Sequence, residues 1–533
     1  MCDYSKGVLL NIHPLDLAII FLYLTIVTWA GIRLSGRLTS SRDYFLGGRT
    51  LPWRAVCLSV VATETSTLTF ISIPGLAYLT NLNFLQLALG YIIGRVVVSF
   101  VFLPAYFRGD LTTSYTLLHN RFGPQVRRFS SLIFLFTRLL ADGVRLFATA
   151  IPLSILTGWS IMLCIIIIAA VTMIYTSLGG LRSVVWIDVF QTIIYVAGAI
   201  LTGFFILSRL PHGWQSVLQA VAAENKLQIF YPGFENSFMD FIQINYTLMA
   251  SLLGGAFLSM ASHGTDQIIV QRLLACRSIR ESQKALITSG FIVLLQFAIF
   301  LLLGLLLYTF YNGVAMRSDE ILPRFIIEEL PRGFSGFIIA AVFAAAMSTL
   351  SSSLNSLASS TMFDLFLPHK KLTPQKELRL SRLFTMMWGI IFIAGAMFFK
   401  NTENPVVELG LAISSFTYGS VLGAFFLAAG KKDFQEQTIL VSMWATILVM
   451  IWIIGPGPAV QLVLLSITAI SGAWIFLLVS RFFRVLLLCL TALTIPLFVL
   501  CPSPQMAWPW YVPVGTAVML FLGNFAGRLI KTG

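Results

Sequence analysis

Ser348, Ser351, Ser352, Asn355 and Ser359 recur at i, i+3, i+4, i+7 and i+11 within an apolar stretch. On a helix they form a single polar stripe. Hydroxyl and carbonyl oxygens suit a hard cation such as sodium, by analogy with other hard ions. Small polar residues also let membrane helices pack closely, and the stripe alone leaves both readings open. A second interruption, Thr63-Glu64-Thr65-Ser66-Thr67, sets an acid in another apolar run. Asp188 lies about one and a half turns into a third such run. An acid at membrane depth is costly and marks a functional position by default; an interfacial, water-capped acid is the alternative. Arg138, Asp142 and Arg145, at i, i+4 and i+7, share one helix face, with neighbours about 5–6 Å apart at Cβ. Asp142 offsets one arginine, and the other needs Glu64 or an anionic solute. The alternative is a structural ion network with Glu64 and Arg95. Glu64, Asp142 and Asp188 balance Arg95, Arg138 and Arg145, so two bound sodium ions leave an excess that an anionic solute partly offsets.

The elements that hold these residues follow from composition. The chain has 533 residues, 57% hydrophobic and 11% charged, with mean hydropathy +0.87. Soluble domains carry about 25% charged residues, so a soluble enzyme is excluded. A nucleic-acid binder is excluded too, because a net charge of +13 is what basic membrane loops produce. Apolar runs fall at about 15–35, 53–79, 84–107, 128–157, 159–178, 181–208, 238–263, 285–311, 335–366, 380–399, 405–430, 437–456, 459–480, 482–500 and 509–528. Fifteen runs predict about fifteen transmembrane helices, since lipid offers no partner for exposed backbone. With the N-terminus outside, 25 of 35 Lys and Arg fall in cytoplasmic segments, among them Arg272, seven fall outside and three lie within helices. That bias sets an extracellular N-terminus and a cytoplasmic C-terminus. The first run is a retained helix and not a cleaved leader, having too few basic residues before it. Six scattered cysteines offer neither a disulfide framework nor a metal motif. Gly254-Gly255 interrupts the seventh run as Thr63–Thr67 interrupts the second. Paired interrupted helices are the pattern of a transporter's binding site, although glycines that merely ease packing give the same sequence.

Three motifs carry a family resemblance. Gly179-Gly180-Leu181-Arg182-Ser183-Val184-Val185-Trp186-Ile187-Asp188-Val189-Phe190-Gln191 resembles a Gly-Gly-x-x-(Ala/Ser)-Val-x-Trp-x-Asp-x-x-Gln element of the sodium/solute symporter family, which includes bacterial proline, sugar and sialic-acid carriers. The stretch from Ala344 to Ser356 is similar to that family's Ser-rich eighth core helix, and Gly264-Thr265-Asp266-Gln267-Ile268-Ile269-Val270-Gln271-Arg272 to its pattern after core helix 6. The resemblance runs from about residue 15 to 432 and resumes at Trp508-Pro509-Trp510-Tyr511. It implies an all-α LeuT-type fold of two inverted five-helix repeats. Residues 1–52 would hold the extracellular N-terminus, first helix and cytoplasmic loop, 53–210 the first repeat, 211–432 the second, and 433–533 the C-terminal helices, where the pair at about 459–480 and 482–500 departs from the family's usual thirteen or fourteen helices and resembles an inserted hairpin. It further implies a first sodium site from the carbonyls of Ala62, Thr65 and Ala345 and the hydroxyls of Ser348 and Thr349. A second site would use Asp188, Ser348, Ser351 and Ser352. Ser66, Thr69 and Gln86 fall near the family's substrate positions, and Glu64, Arg138, Asp142, Arg145 and His263 join them as candidates. Ser262 and His263 stand where sugar carriers place gating aromatics, which argues against that pocket design.

The expected activity is sodium-coupled symport of a small, carboxylate-bearing solute by alternating access with two sodium ions. A neutral sugar or polyol, or an inorganic anion, is the alternative solute. A proton-coupled antiporter subunit lacks its intramembrane lysines here, and a membrane-embedded enzyme lacks a nucleophile and base. No cofactor beyond the coupling sodium and no nucleic-acid partner is expected. The protein is expected to work as a monomer in the bilayer of the plasma (inner) membrane.

Overall fold

The computed structural model describes residues 13–531, apart from 110, 234–237, 371, 398–405, 456–457 and most of 482–505. Among the described residues the chain is helical, and its one bridge pair is Leu51 with Cys276. We number the principal helices α1 (Pro14–Leu34), α2 (Trp53–Glu64), α3 (Thr67–Leu79), α4 (Phe84–Val101), α5 (Pro124–Thr157), α6 (Ile161–Arg209), α7 (Leu248–Gly264) and α8 (Gln267–Leu274). The others are α9 (Ile279–Phe310), α10 (Phe334–Ser360), α11 (Pro374–Ala396), α12 (Val406–Ala429), α13 (Glu436–Ile454), α14 (Pro458–Leu478) and α15 (Tyr511–Lys531). Among the described residues ten helices are long and apolar enough to cross a membrane, and the bent pair α2–α3 makes eleven.

The runs at 159–178 and 181–208 appear as the single 49-residue helix α6. At 1.5 Å per residue it would be about 74 Å long, far more than a ~30 Å hydrocarbon core. The backbone resolves this at Gly180, whose φ of 61° and ψ of −163° break the helix. Only glycine takes that conformation readily, and a Cβ there would sit 2.5 Å from the Tyr44 carbonyl oxygen. The Gly179-Gly180 motif is therefore a corner between two spans. The expected fourteenth run, 482–500, lies mostly outside the described residues.

The glycine pair in the seventh run needs a correction. Helix α7 is continuous through Gly254 and Gly255. These glycines permit close contact instead: a Cβ on Gly255 would lie 2.5 Å from the Leu87 oxygen, and one on Gly254 2.6 Å from Pro509. Gly94 of α4 answers from the other side, 2.3 Å from the Ala256 oxygen. The break in this part of the chain comes later, at Thr265–Asp266, between α7 and α8. There Asp266 caps α8 by accepting from Ile268 N at 2.9 Å.

Helix α10 is the hub. Of its apolar window, 94% is buried, so its serine stripe faces protein and not lipid. It packs on α6, α5 and α1. Asp16 at the start of α1 accepts from Gly333 N at 2.7 Å and Gly336 N at 2.8 Å, capping the N-terminus of α10. A carboxylate there meets both the orphan amides and the positive end of the helix dipole.

Candidate substrate and ion site

The site begins where α2 stops. Thr65 (φ −84°, ψ 98°) and Ser66 (φ −90°, ψ 171°) are extended, and α3 restarts at Thr67 with a bend of 63°. An opened helix frees carbonyls, and one of them is used. Ser348 Oγ donates to Ala62 O at 3.1 Å and lies 3.0 Å from Ala345 O, while Thr349 Oγ1 lies 3.4 Å from Ala345 O. Four of the five residues expected for the first ion site thus meet. Thr65 is adjacent, its hydroxyl accepting from Gln296 Nε2 at 2.6 Å. Thr67 Oγ1 donates to Val342 O at 3.1 Å and pins the restart of α3 to α10.

Asp188 is fully buried. Ser59 Oγ donates to its Oδ2 at 2.5 Å, and its Oδ1 has no partner among the described residues. The serines expected to join it are engaged with backbone: Ser352 Oγ donates to Ser348 O at 2.7 Å and Ser351 Oγ to the same oxygen at 3.0 Å. Arg272 enters here, a correction to its expected loop position. It is fully buried, 3.4 Å from Asp188 Oδ2, donates through Nε to Ser59 Oγ at 2.9 Å, and also contacts Ser352 Oγ. Hydropathy alone assigns the segment after Gly264 to a loop, but short α8 folds back into the bundle and carries Arg272 inward.

A cavity of about 110 Å³ opens beside the first group, lined by residues of α2, α3, α5, α7, α10 and α12. Glu64, Ser66, Thr69, Arg138, Arg145 and His263 reach it, as do Thr63 and Thr349. Asp142 does not line it, but it holds Arg145 at 3.3 Å and accepts from Ser353 Oγ at 2.6 Å. Gln86 lies elsewhere. It donates to Tyr246 O at 3.1 Å and accepts from Tyr231 N at 3.2 Å, so it ties the chain before α7 to α4.

The cavity arginines are not equivalent. Arg138 pairs with Asp266 and donates to Tyr418 Oη at 2.5 Å, with Asp142 a further 3.6 Å contact. Arg145 has one ion pair among the described residues, the one with Asp142, and its side chain is 21% exposed. Glu64 is matched by buried Arg95, which also donates to Ser289 Oγ at 2.6 Å. His263 Nε2 stands 3.6 Å from Glu64 Oε2, with its Nδ1 2.8 Å from Ser262 Oγ. Three acid–base pairs have a member in the cavity wall, Glu64–Arg95, Asp142–Arg145 and Asp266–Arg138, and a fourth, Asp188–Arg272, lies outside its lining. The sequence reading gave no role to Asp266, Arg272 or Tyr418. The first two stand in the Gly264–Arg272 motif, which was a usable signal; Tyr418 had none.

A broken helix facing a serine-lined hub, with a polar cavity at their junction, is the architecture of a solute carrier. The chain belongs to the sodium:solute symporter family, whose sequence model matches residues 44–446. It is 28% identical to the sodium/sialic acid symporter NanT of Aliivibrio fischeri, over 81% of this chain and 86% of that one. It is 28% identical to sodium-coupled monocarboxylate transporter 2 of Mus musculus, over 73% of this chain and 63% of the relative. The solved structure of a Na+-coupled sialic acid symporter, substrate-bound and outward-open, shares the fold with TM-score 0.78 and 24% identity, covering 97% of this chain and 98% of that one. The protein is an integral, multi-pass membrane symporter with sodium as its coupling ion.

Proposed function

We propose that this symporter carries a small carboxylate, and that Arg145 receives the carboxyl group. The observation that carries the reading is the difference between the two cavity arginines. Arg138 is committed to Asp266 and Tyr418, whereas Arg145 presents a guanidinium with a single long ion pair. A guanidinium fork matches a carboxylate in two parallel bonds, which an ammonium cannot reproduce. Glu64, the acid in the cavity wall, is already matched by Arg95 and repels such a solute less. The named relatives, a sialic acid symporter and a monocarboxylate transporter, support an acidic solute.

Two sodium ions fit this reading. The first is held by the Ala62, Ala345, Ser348 and Thr349 oxygens with Thr65 adjacent. The second is held by Asp188 with Ser348, Ser351 and Ser352, once Arg272 yields part of its hold. About fifteen spans, ten of them in two inverted five-helix repeats, an outside N-terminus, a cytoplasmic C-terminus, an inner-membrane location and a monomer working in the lipid bilayer complete the proposal. The test is sodium-dependent uptake in proteoliposomes, with competition by short monocarboxylates, sialic acid and neutral polyols. Short carboxylates should compete in wild type, and Arg145→Lys should weaken them about ten- to a hundredfold, the weight of a charged hydrogen bond. Competition by polyols, or unchanged affinity in Arg145→Lys, overturns the carboxylate assignment.

A further inference from the structure

A groove of about 660 Å³ lies away from the cavity, between the loop after α1 and the first turns of α11. Three arginines line it: Arg37 from the loop, and Arg379 and Arg382 from α11. None has an acidic partner among the described residues. Two carboxylates of the same segments are engaged elsewhere, Glu377 with Ser41 Oγ at 2.6 Å and Asp43 with Thr39 Oγ1 at 2.5 Å. Arg382 Nε is buried with no acceptor in reach among the described residues. Three guanidiniums without an anion make a site for one, and their forked donors suit phosphate oxygens.

The surroundings say which phosphate. Leu383, Met386, Ile390 and Met397 continue from Arg379 at i+4, i+7, i+11 and i+18, and they are 57%, 48%, 62% and 54% exposed. From Arg379 to Met397 this face runs about 27 Å, close to the ~30 Å hydrocarbon depth. Near its C-terminal end α1, which leads into the Arg37 loop, carries Trp29, 61% exposed, with Arg33 of its last turn over the ring at 5.6 Å. Trp beside a basic residue at a helix end marks the membrane–water boundary. The groove is therefore at headgroup level, with an apolar track leading from it into the bilayer. A soluble phosphate would use the arginines and leave that track without a role.

We propose that this groove binds an anionic phospholipid, with Arg37, Arg379 and Arg382 on the headgroup phosphate and one acyl chain along the Leu383–Met386–Ile390 face. The test uses the full-length protein in phosphatidylcholine nanodiscs doped with phosphatidylglycerol, with retained lipid read by native mass spectrometry. Wild type should retain phosphatidylglycerol in preference to phosphatidylcholine. Arg37→Gln/Arg379→Gln, both at exposed positions, should weaken that preference by on the order of fivefold per arginine removed. Arg382→Lys, which keeps the charge and loses the fork, should weaken it as well. Lys431→Gln/Lys432→Gln, which removes the same charge from another loop, should leave it unchanged. Three results overturn the proposal: no preference in wild type, an equal loss in the lysine variant, or displacement of the lipid by inorganic phosphate where sodium chloride of equal ionic strength fails.

Discussion

At the scale of single residues, the hydroxyls of Ser348 and Thr349 are the most economical target, because each touches only backbone oxygen within the site. Replacing both with Ala removes two hard ligands and little packing. Sodium-driven uptake should fall to background while thermal unfolding of the purified protein stays near wild type; uptake that still rises with a sodium gradient excludes these hydroxyls as ligands. Asp188 needs more care. Removing it alone leaves Arg272 charged and buried, a loss of about 3–5 kcal/mol. The double variant Asp188→Asn/Arg272→Gln removes both charges and should remain folded. Its sodium dependence should show a Hill coefficient near one, against a wild-type value above one. The stripe from Ser348 to Ser359 was legible because polarity stands out at helical spacing in apolar sequence. The arginine assignment was less so: the sequence places Arg138 at midplane depth, but what it meets is Asp266, on a segment far away in the chain and outside any apolar run.

At the scale of elements, backbone conformation decides more than hydropathy. Gly180→Ala forces a side chain into a glycine-only region, about 1–3 kcal/mol, and drives it onto the Tyr44 oxygen. Gly213→Ala, also at positive φ (52°) but with open space around it, bears the strain without the clash. Thermal unfolding should therefore drop further for Gly180→Ala than for Gly213→Ala; equal drops mean that the corner tolerates a Cβ. The short helix Ser41–Leu46 gives a pH test outside the membrane spans. Burial alone would raise the Asp43 carboxyl, but hydrogen bonds from Thr39 and Ser40 outweigh it and hold it below its usual range. A carboxylate lowered in the folded state adds stability above its unfolded pKa, and that stability is lost as pH falls through the folded value. Hydrogen-exchange protection of residues 36–46 should thus exceed that of Asp43→Asn at neutral pH, and the two should converge in acid below pH ~4. Two elements show the limits of sequence reading. The α2 break was visible because its residues are polar. Gly254-Gly255 imitated a break because glycine serves close packing and open backbone alike, and only the Leu87 and Pro509 contacts separate the two uses.

For the whole molecule, α10 is the helix on which α6, α5 and α1 pack. Both proposed ion sites use Ser348, whose hydroxyl meets Ala62 O and whose carbonyl accepts from Ser351 and Ser352, so the proposal couples them through one turn of α10. Occupation of one should favour the other, and the solute that meets Thr349 in the cavity should feel both. Measured in purified protein, the dissociation constant of a carboxylate should fall as sodium is added, and by reciprocity the sodium constant should fall by the same factor when solute is present. A solute constant that does not change with sodium would mean that the sites are not linked.

The four acid–base pairs of the site have an electrical meaning. They cancel, and because the protein returns to its starting state after each cycle, the net charge moved is that of the solutes carried across. Two sodium ions with one monoanion then move one elementary charge inward per cycle. A membrane voltage contributes about 2.3 kcal/mol per charge per 100 mV, which at 1.36 kcal/mol per tenfold is roughly a fiftyfold gain in accumulation. The protein should therefore behave as a generator as well as a pump. Solute added to voltage-clamped proteoliposomes should evoke an inward current, with one charge counted for each solute taken up. An electrically silent cycle would mean that a single sodium travels with each monoanion, and that voltage is no part of what drives it.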